Sequence, residues 1–342
     1  MRFLVFGAGA IGTYIGGILA LAGEDVVFLD REEVAVELRK TGFSLGLPDG
    51  EMELSQPVVY SSLEKVLASG SFDAAILAVK GFDTASVLEM VRPFADKIPP
   101  VVCFQNGVEN ETAIAAVLGE NRVIRGTVTT AIGRRGLGSI VVERFRGTGI
   151  AASHPLSTEI AAACNQAGLG MTVFPNGLAM KWSKMLTNLM GNATSAILNW
   201  PPGKVYANPQ MFDLERRQLL EVLAVMDALH LPVVDLPGVP VRLLAFTIRY
   251  LPSFLSRPLL VKAVGGGRGA KMPSFHIDLY QGRGKSEVDW LNGAVVRAAE
   301  RDGKKAPVNK MLVEVLLKLT SGEWKTEDFD GKPEKLVCIL PK

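Results

Sequence analysis

Residues 1–12 read Met1-Arg2-Phe3-Leu4-Val5-Phe6-Gly7-Ala8-Gly9-Ala10-Ile11-Gly12, and this stretch decides the fold. Arg2–Phe6 is a short β-rich run, and residues 10–22 carry a helical pattern. Between them the glycines fall as G-x-G-x-x-G. The motif alone is weak, because a glycine-rich turn belongs to many α/β domains. Its place, just after a strand and at the mouth of a helix, makes it a dinucleotide-binding fingerprint. The first glycine allows a tight turn, and the second lets the backbone approach a pyrophosphate. The third lets the helix pack closely, with the anion at its N-terminus. Gly7, Gly9, Ala10, Ile11 and Gly12 are therefore the expected cofactor contacts.

The pattern continues outward. Residues 26–30 read as a second strand and 32–40 as a second helix. Phe43–Leu47 and 51–54 flank Pro48-Asp49-Gly50, a hairpin signal. Residues 73–79 and 101–104 read as buried parallel strands, continuous in apolar residues after Asp73. Residues 83–91 and 108–118 supply crossover helices, and 122–130 begin another strand. This β-α-β alternation predicts an α/β domain, a Rossmann doubly wound parallel sheet, over 1–175. After Pro175-Asn176-Gly177 the texture turns helical, with patterns over 178–198, 211–229, 285–301 and 307–319. An all-α C-terminal domain is expected over 176–342. The stretch 231–273 is rich in Pro and Gly and reads as one or two short helices with a mobile turn at Gly265-Gly266-Gly267.

Composition bounds the function. At roughly 100–200 residues per domain, 342 residues suit two domains. The chain has 37 Lys+Arg against 35 Asp+Glu, a net charge of +2, which gives no support for a nucleic-acid binder. The 48% hydrophobic content is globular and argues against disorder. Cys103, Cys164 and Cys338 are too few and scattered for a disulfide framework or zinc site, and suit a reducing compartment. His154, His230 and His276 lack metal spacing and read as structural, with His276 close in sequence to Ser274. Glycines interrupt the apolar run 1–23, a poor signal core. Residues 243–264 are broken by Arg249, Arg257, Lys262, Pro252 and Pro258. No stretch gives the ~20 clean apolar residues that span a bilayer. The expectation is a cytoplasmic protein with no membrane, nucleic-acid or metal partner.

Three constellations could carry chemistry. Asp30 stands where a carboxylate binds the ribose hydroxyls of NAD, and Arg31 where a guanidinium holds the 2′-phosphate of NADP. Asp30 could instead cap the following helix. Lys184, Asn188 and Asn192 recur every four residues and fall on one helical face amid apolar neighbours. That stripe is either a site or the solvated side of a half-exposed helix. Glu287 opens a helical pattern, where an acid is also a good dipole partner.

In order and spacing, these residues resemble the ketopantoate reductase family (2-dehydropantoate 2-reductase) over nearly the whole chain. The matching elements are Gly7–Gly12, Lys80 in Ala78-Val79-Lys80, Asn106 in Gln105-Asn106-Gly107-Val108, the Lys184 stripe, Ser274, and residues 287–293. The resemblance implies a Rossmann domain plus a helical domain, with the active site in the cleft between them. It implies NADPH-dependent reduction of a 2-oxo acid to a 2-hydroxy acid, most simply ketopantoate to pantoate in pantothenate biosynthesis. Lys184 resembles the general acid that protonates the keto oxygen. Glu287 resembles the residue that binds the substrate hydroxyl, and Asn106 the group that aligns substrate and nicotinamide. Asn188 and Asn192 resemble substrate-binding amides, and Ser274 the hydroxyl on the substrate carboxylate. Lys80 lies at the sheet edge where cofactor sites gather. Arg31 matches the family's 2′-phosphate arginine and favours NADP(H), whereas Asp30, usually small or apolar there, favours NAD. Lys181, three residues before Lys184, is outside the resemblance, and Lys181→Ala is expected to keep most of the activity.

The chain departs from the family in 231–273, which is longer and more basic, with Arg242, Arg249, Arg257, Lys262, Arg268 and Lys271. Three readings follow: an altered substrate pocket, a homodimer face, or solvated surface. Two alternative functions accompany them. One is a reductase of a different 2-oxo acid. The other is a non-catalytic module that senses NADP(H), against which Lys184 and Glu287 speak.

Overall fold

The computed structural model describes residues 1–268, 272–282 and 284–340, so Lys271 lies outside the described residues. The chain divides into two compact units, Met1–Lys181 with Leu236–Val239, and Trp182–Asp235 with Pro240–Lys342.

The first unit opens with β1 (Arg2–Phe6), α1 (Ala10–Leu21), β2 (Asp25–Leu29) and α2 (Glu32–Thr41). The hairpin β3 (Phe43–Leu47) and β4 (Gly50–Leu54) follows, then β5 (Val58–Tyr60), α3 (Leu63–Ala68) and β6 (Ala74–Leu77). Next come α4 (Thr84–Val91), β7 (Val101–Cys103), α5 (Asn110–Leu118) and β8 (Val123–Val128). β9 (Ala131–Gly136), β10 (Ser139–Arg144), β11 (Thr148–Ala151), α6 (Ser157–Gln166) and β12 (Met171–Phe174) complete the set.

Eight strands form one sheet in the order β12-β11-β8-β7-β6-β1-β2-β5. All neighbours are parallel except β8 and β11, which run antiparallel. The sheet is buried on both sides, as the strand sequences dictate. Phe3, Val5, Val26 and Phe28 pack into one apolar core with α1, while Leu4, Phe6, Val27 and Leu29 alternate into a second core on the other face. The predicted hairpin forms, with Leu47 opposite Gly50. It belongs to a separate four-stranded sheet, β4-β3-β10-β9, in which β3 pairs in parallel with β10. The sequence pattern gave no sign of that second sheet.

The second unit is helical. α7 (Gly177–Leu189) starts in the first unit and ends in the second, followed by α8 (Asn192–Leu198), α9 (Pro202–Ala207) and α10 (Pro209–Ala228). Then come α11 (Val241–Tyr250), α12 (Ser253–Arg268), α13 (Ser274–Tyr280), α14 (Ala294–Arg301), α15 (Pro307–Thr320) and α16 (Pro333–Ile339). A π-helical turn, Asp289–Gly293, leads into α14.

Two expectations are corrected here. Residues 178–198 are not one helix, because Gly191 adopts φ +60° and ends the run between α7 and α8. The expected turn at Gly265–Gly267 is helical backbone within α12. Each glycine costs about 1 kcal/mol there. Burial of Leu260 and Val264, one turn apart in the same helix, offsets that cost. Among the described residues, no helix is long and apolar enough to cross a membrane.

Candidate active site

The glycine loop follows from close packing. A Cβ on Gly12 would overlap the Gly7 carbonyl oxygen, so α1 meets the loop at a distance that only glycine permits. Gly9 is the opposite case: a Cβ there would meet nothing within 4 Å. Gly9 is the N-cap of α1, with no side-chain cap and no acid in the first turn. Ala10 and Ile11 open the helix and are half-buried. Helix amides at the positive end of a dipole, beside open space, fit a dinucleotide pyrophosphate.

The end of β2 resolves differently from its sequence. Asp30 does not cap α2, since Arg31 takes the N-cap position. The Asp30 carboxylate instead accepts the Ala8 N–H at 2.7 Å and the Arg31 N–H at 2.8 Å, tying β2 to the glycine loop. It can reach because Phe6 and Leu29 are paired at the ends of adjacent strands. The exposed Arg31 guanidinium makes no hydrogen bond or ion pair among the described residues.

Lys80 follows β6 and is half-buried, while Asn106 follows β7 and is exposed. Since β2, β1, β6 and β7 are adjacent and parallel, Arg31, the glycine loop, Lys80 and Asn106 all leave the same carboxyl edge. Open α/β sheets bind ligands at that edge.

Beneath Asn106 lies a buried polar group that the sequence reading passed over. Lys181 and Glu111 are 3% and 1% exposed, and Lys181 Nζ lies 2.7 Å from Glu111 Oε1. The same ammonium donates to the Gln105 carbonyl at 2.6 Å and the Gly126 carbonyl at 3.3 Å. Lys181 is therefore a buried, ion-paired residue. The Gln105 side chain donates to the Val79 carbonyl at 2.9 Å and to Thr84 Oγ1 at 2.8 Å, joining the ends of β6 and β7. Burial, and then the Glu111 charge, push the Cys103 thiol far above its ordinary range. Burial likewise pushes Cys164 up to about 12, so neither is a nucleophile near neutrality.

On α7, from Lys181 to Leu189, only Lys184, Thr187 and Asn188 are half-exposed, and the other positions are buried. Asn192 is not on that helix. It opens α8, is 4% exposed, and donates to the Asn188 carbonyl at 3.1 Å and to Ser274 Oγ at 3.4 Å. Its Oδ1 accepts the Phe275 N–H at 3.1 Å. Asn188, Asn192 and Ser274 thus meet through the helix break. Glu287 is buried at the turn before the π-helical stretch, and its carbonyl accepts the N–H groups of Trp290 and Leu291. Among the described residues, no cluster of His, Cys, Asp or Glu could hold a metal.

A mostly parallel sheet with a glycine loop at its carboxyl edge, followed by a helical unit, defines a Rossmann-type nucleotide-binding fold. Comparison with known proteins narrows the class. The family described as "Ketopantoate reductase PanE/ApbA" matches residues 3–153, and "Ketopantoate reductase PanE/ApbA C terminal" matches 176–320. The chain belongs to the ketopantoate reductase family and is an oxidoreductase of the 2-oxo acid reductase type. A 2-dehydropantoate 2-reductase of Halobacterium salinarum is 27% identical over 92% of this chain and 98% of its own. A PanE/ApbA family ketopantoate reductase from Ralstonia eutropha superposes with TM-score 0.79 at 24% identity, over 94% of this chain and 99% of that one. A D-mandelate dehydrogenase, solved with NADH and anilino(oxo)acetate, shares the fold at TM-score 0.76 and 18% identity, over 94% and 99% of the two chains.

Proposed function

We propose that this chain uses NADPH to reduce a 2-oxo acid, with 2-dehydropantoate as the substrate and pantoate as the product. The observation that carries this reading is the face of α7. A buried helix that leaves one lysine and one amide half-exposed a turn apart offers a proton donor beside a substrate-binding group. When bound, the reduced nicotinamide supplies a hydride to the keto carbon. Lys184 gives its proton to the keto oxygen as negative charge develops there. Asn188, Asn192 and Ser274 bind the substrate, with the Ser274 hydroxyl on its carboxylate. Glu287 binds the substrate hydroxyl, and Asn106 aligns the reacting groups.

The glycine loop and Lys80 hold the dinucleotide, and Arg31 holds its 2′-phosphate. The unpaired Arg31 guanidinium supports NADPH, and the engagement of Asp30 with Ala8 gives that carboxylate a role in the loop. The enzyme is read as cytoplasmic, acting on a small molecule, as a homodimer or monomer.

The test is nicotinamide oxidation against a panel of 2-oxo acids, ketopantoate included, with NADPH and NADH in parallel. The highest kcat/KM with ketopantoate and NADPH is expected. Faster turnover of another 2-oxo acid would replace the substrate, and no turnover of any would overturn the reading.

A further inference from the structure

Asn106 has an exposed side chain on a backbone held from both sides. The peptide unit is planar, so fixing the Gln105 carbonyl fixes the plane that also contains the Asn106 N–H and Cα. Lys181 Nζ holds that carbonyl at 2.6 Å. The next plane is held by Asn110 Nδ2, which donates to the Asn106 carbonyl at 2.9 Å. Gly107 then turns away with φ +98°.

A neutral donor would suffice to pair one carbonyl. Here a full charge is buried, and it requires a buried counter-charge, Glu111 in the first turn of α5. Burying two charges is expensive, and a well-packed apolar pair would often be as stable or more so. The ion pair therefore calls for a role beyond stability.

We propose that Lys181 and Glu111 are positioning residues for the reduction: their ion pair holds the Gln105–Asn106 peptide so that the Asn106 side chain is presented in a single orientation. This rests on the reading of Asn106 as the group that aligns substrate and nicotinamide. Glu111 holds the ammonium, and the ammonium reaches the end of β7 at Gln105 and β8 at Gly126. A displacement of about 1 Å at an aligning group can cost ~10²-fold in rate.

The test uses the paired variant Lys181→Met/Glu111→Met, which removes both charges and keeps apolar bulk. Three quantities are read: melting temperature, amide hydrogen exchange of the segment 104–109, and steady-state kinetics with direct measurement of nucleotide Kd. We expect a melting temperature modestly below wild type, because the Gln105 and Gly126 carbonyls lose the ammonium donor, with faster exchange in 104–109, kcat reduced about 10–100-fold, and nucleotide Kd within about twofold. The single variants should melt lower, because each leaves one charge buried alone. A paired variant with wild-type exchange in 104–109, or with wild-type kcat, would overturn the proposal. If the paired variant does not fold, Glu111→Asp, which keeps the charge and shortens its reach, is read in the same way. Wild-type protein inactive on every 2-oxo acid would overturn the functional reading; the exchange measurement would still decide whether the pair holds the segment.

Discussion

The Gly191 backbone N–H donates to the buried Glu215 carboxyl at 2.7 Å, and this bond marks the break between α7 and α8. The same carboxyl group accepts Thr194 Oγ1 at 2.6 Å and the Tyr206 hydroxyl at 3.1 Å. Glu215→Leu would leave these three donors inside the helical unit without their acceptor. An unsatisfied buried group costs about 1–3 kcal/mol, so urea denaturation should show a loss of at least about 3 kcal/mol. Because Asn192 opens α8, the KM for the 2-oxo acid should rise while nucleotide Kd stays unchanged. Wild-type stability in this variant would show that the break is held by other contacts.

Gly9 and Gly12 should respond in opposite ways to alanine. Gly9→Ala has room for its Cβ, so the protein should melt near the wild-type temperature but bind the dinucleotide at least about tenfold more weakly, because the methyl group occupies the approach to the loop. Gly12→Ala has no room and should destabilise the first unit itself. Calorimetry with and without nucleotide separates the two, and equal nucleotide affinity in Gly9→Ala and wild type would contradict the assignment of the loop.

Arg31→Ala should raise the KM for NADPH far more than for NADH. A charge-assisted hydrogen bond contributes about 1.5–3 kcal/mol, or roughly 10–100-fold. Asp30→Ala should weaken both nucleotides together, because it releases the Ala8 amide of the glycine loop. Wild-type preference for NADH would instead assign the choice to Asp30.

Lys184→Ala should lower kcat by ~10²–10⁴-fold while nucleotide binding persists. The buried Lys181 cannot serve as the comparison, since removing it strands Glu111. The exposed Lys305 serves instead, and Lys305→Ala should retain wild-type kinetics. Normal turnover by Lys184→Ala would end the proposed proton-donor role.

Acidification should destabilise the helical unit through His276. Burial holds its imidazolium below the ordinary value of 6.5, and the Asp330 charge opposes this only in part. Between the folded value and 6.5 the unfolded chain binds more protons, so stability rises with pH. The contribution is complete above 6.5 and is lost as pH falls through the folded value. His276 Nε2 lies 2.8 Å from Asn199 Oδ1, and its ring stacks on Tyr280. A melting series from pH 7.5 to 5 should show a shallower slope for His276→Gln than for wild type. Equal slopes would remove His276 as the source.

Whatever short-range sterics control was legible in the order of residues. The order of β1, α1 and β2, the glycines of residues 7–12, and the hairpin at residues 48–50 each depend on neighbours a few positions away. The apolar runs within residues 73–79 and 101–104 likewise announced a sheet buried on both faces, because side chains point to opposite sides with period two and both sides are apolar. Features that depend on distant partners became visible only in the folded chain. The 3.6-residue period runs unbroken through Gly191, and the break is held by Glu215, 24 positions on. Lys181 looks like any other lysine until Glu111, 70 positions earlier, takes it into the interior. Asp30 turned to Ala8 rather than to its own helix because β1 and β2 lie side by side. The second sheet joins β3 to β10, about 95 residues apart, through pairing that neither strand's own pattern encodes. Backbone sterics act within a turn of chain, whereas ion pairs and strand pairing act across space, and only the folded chain brings those partners together.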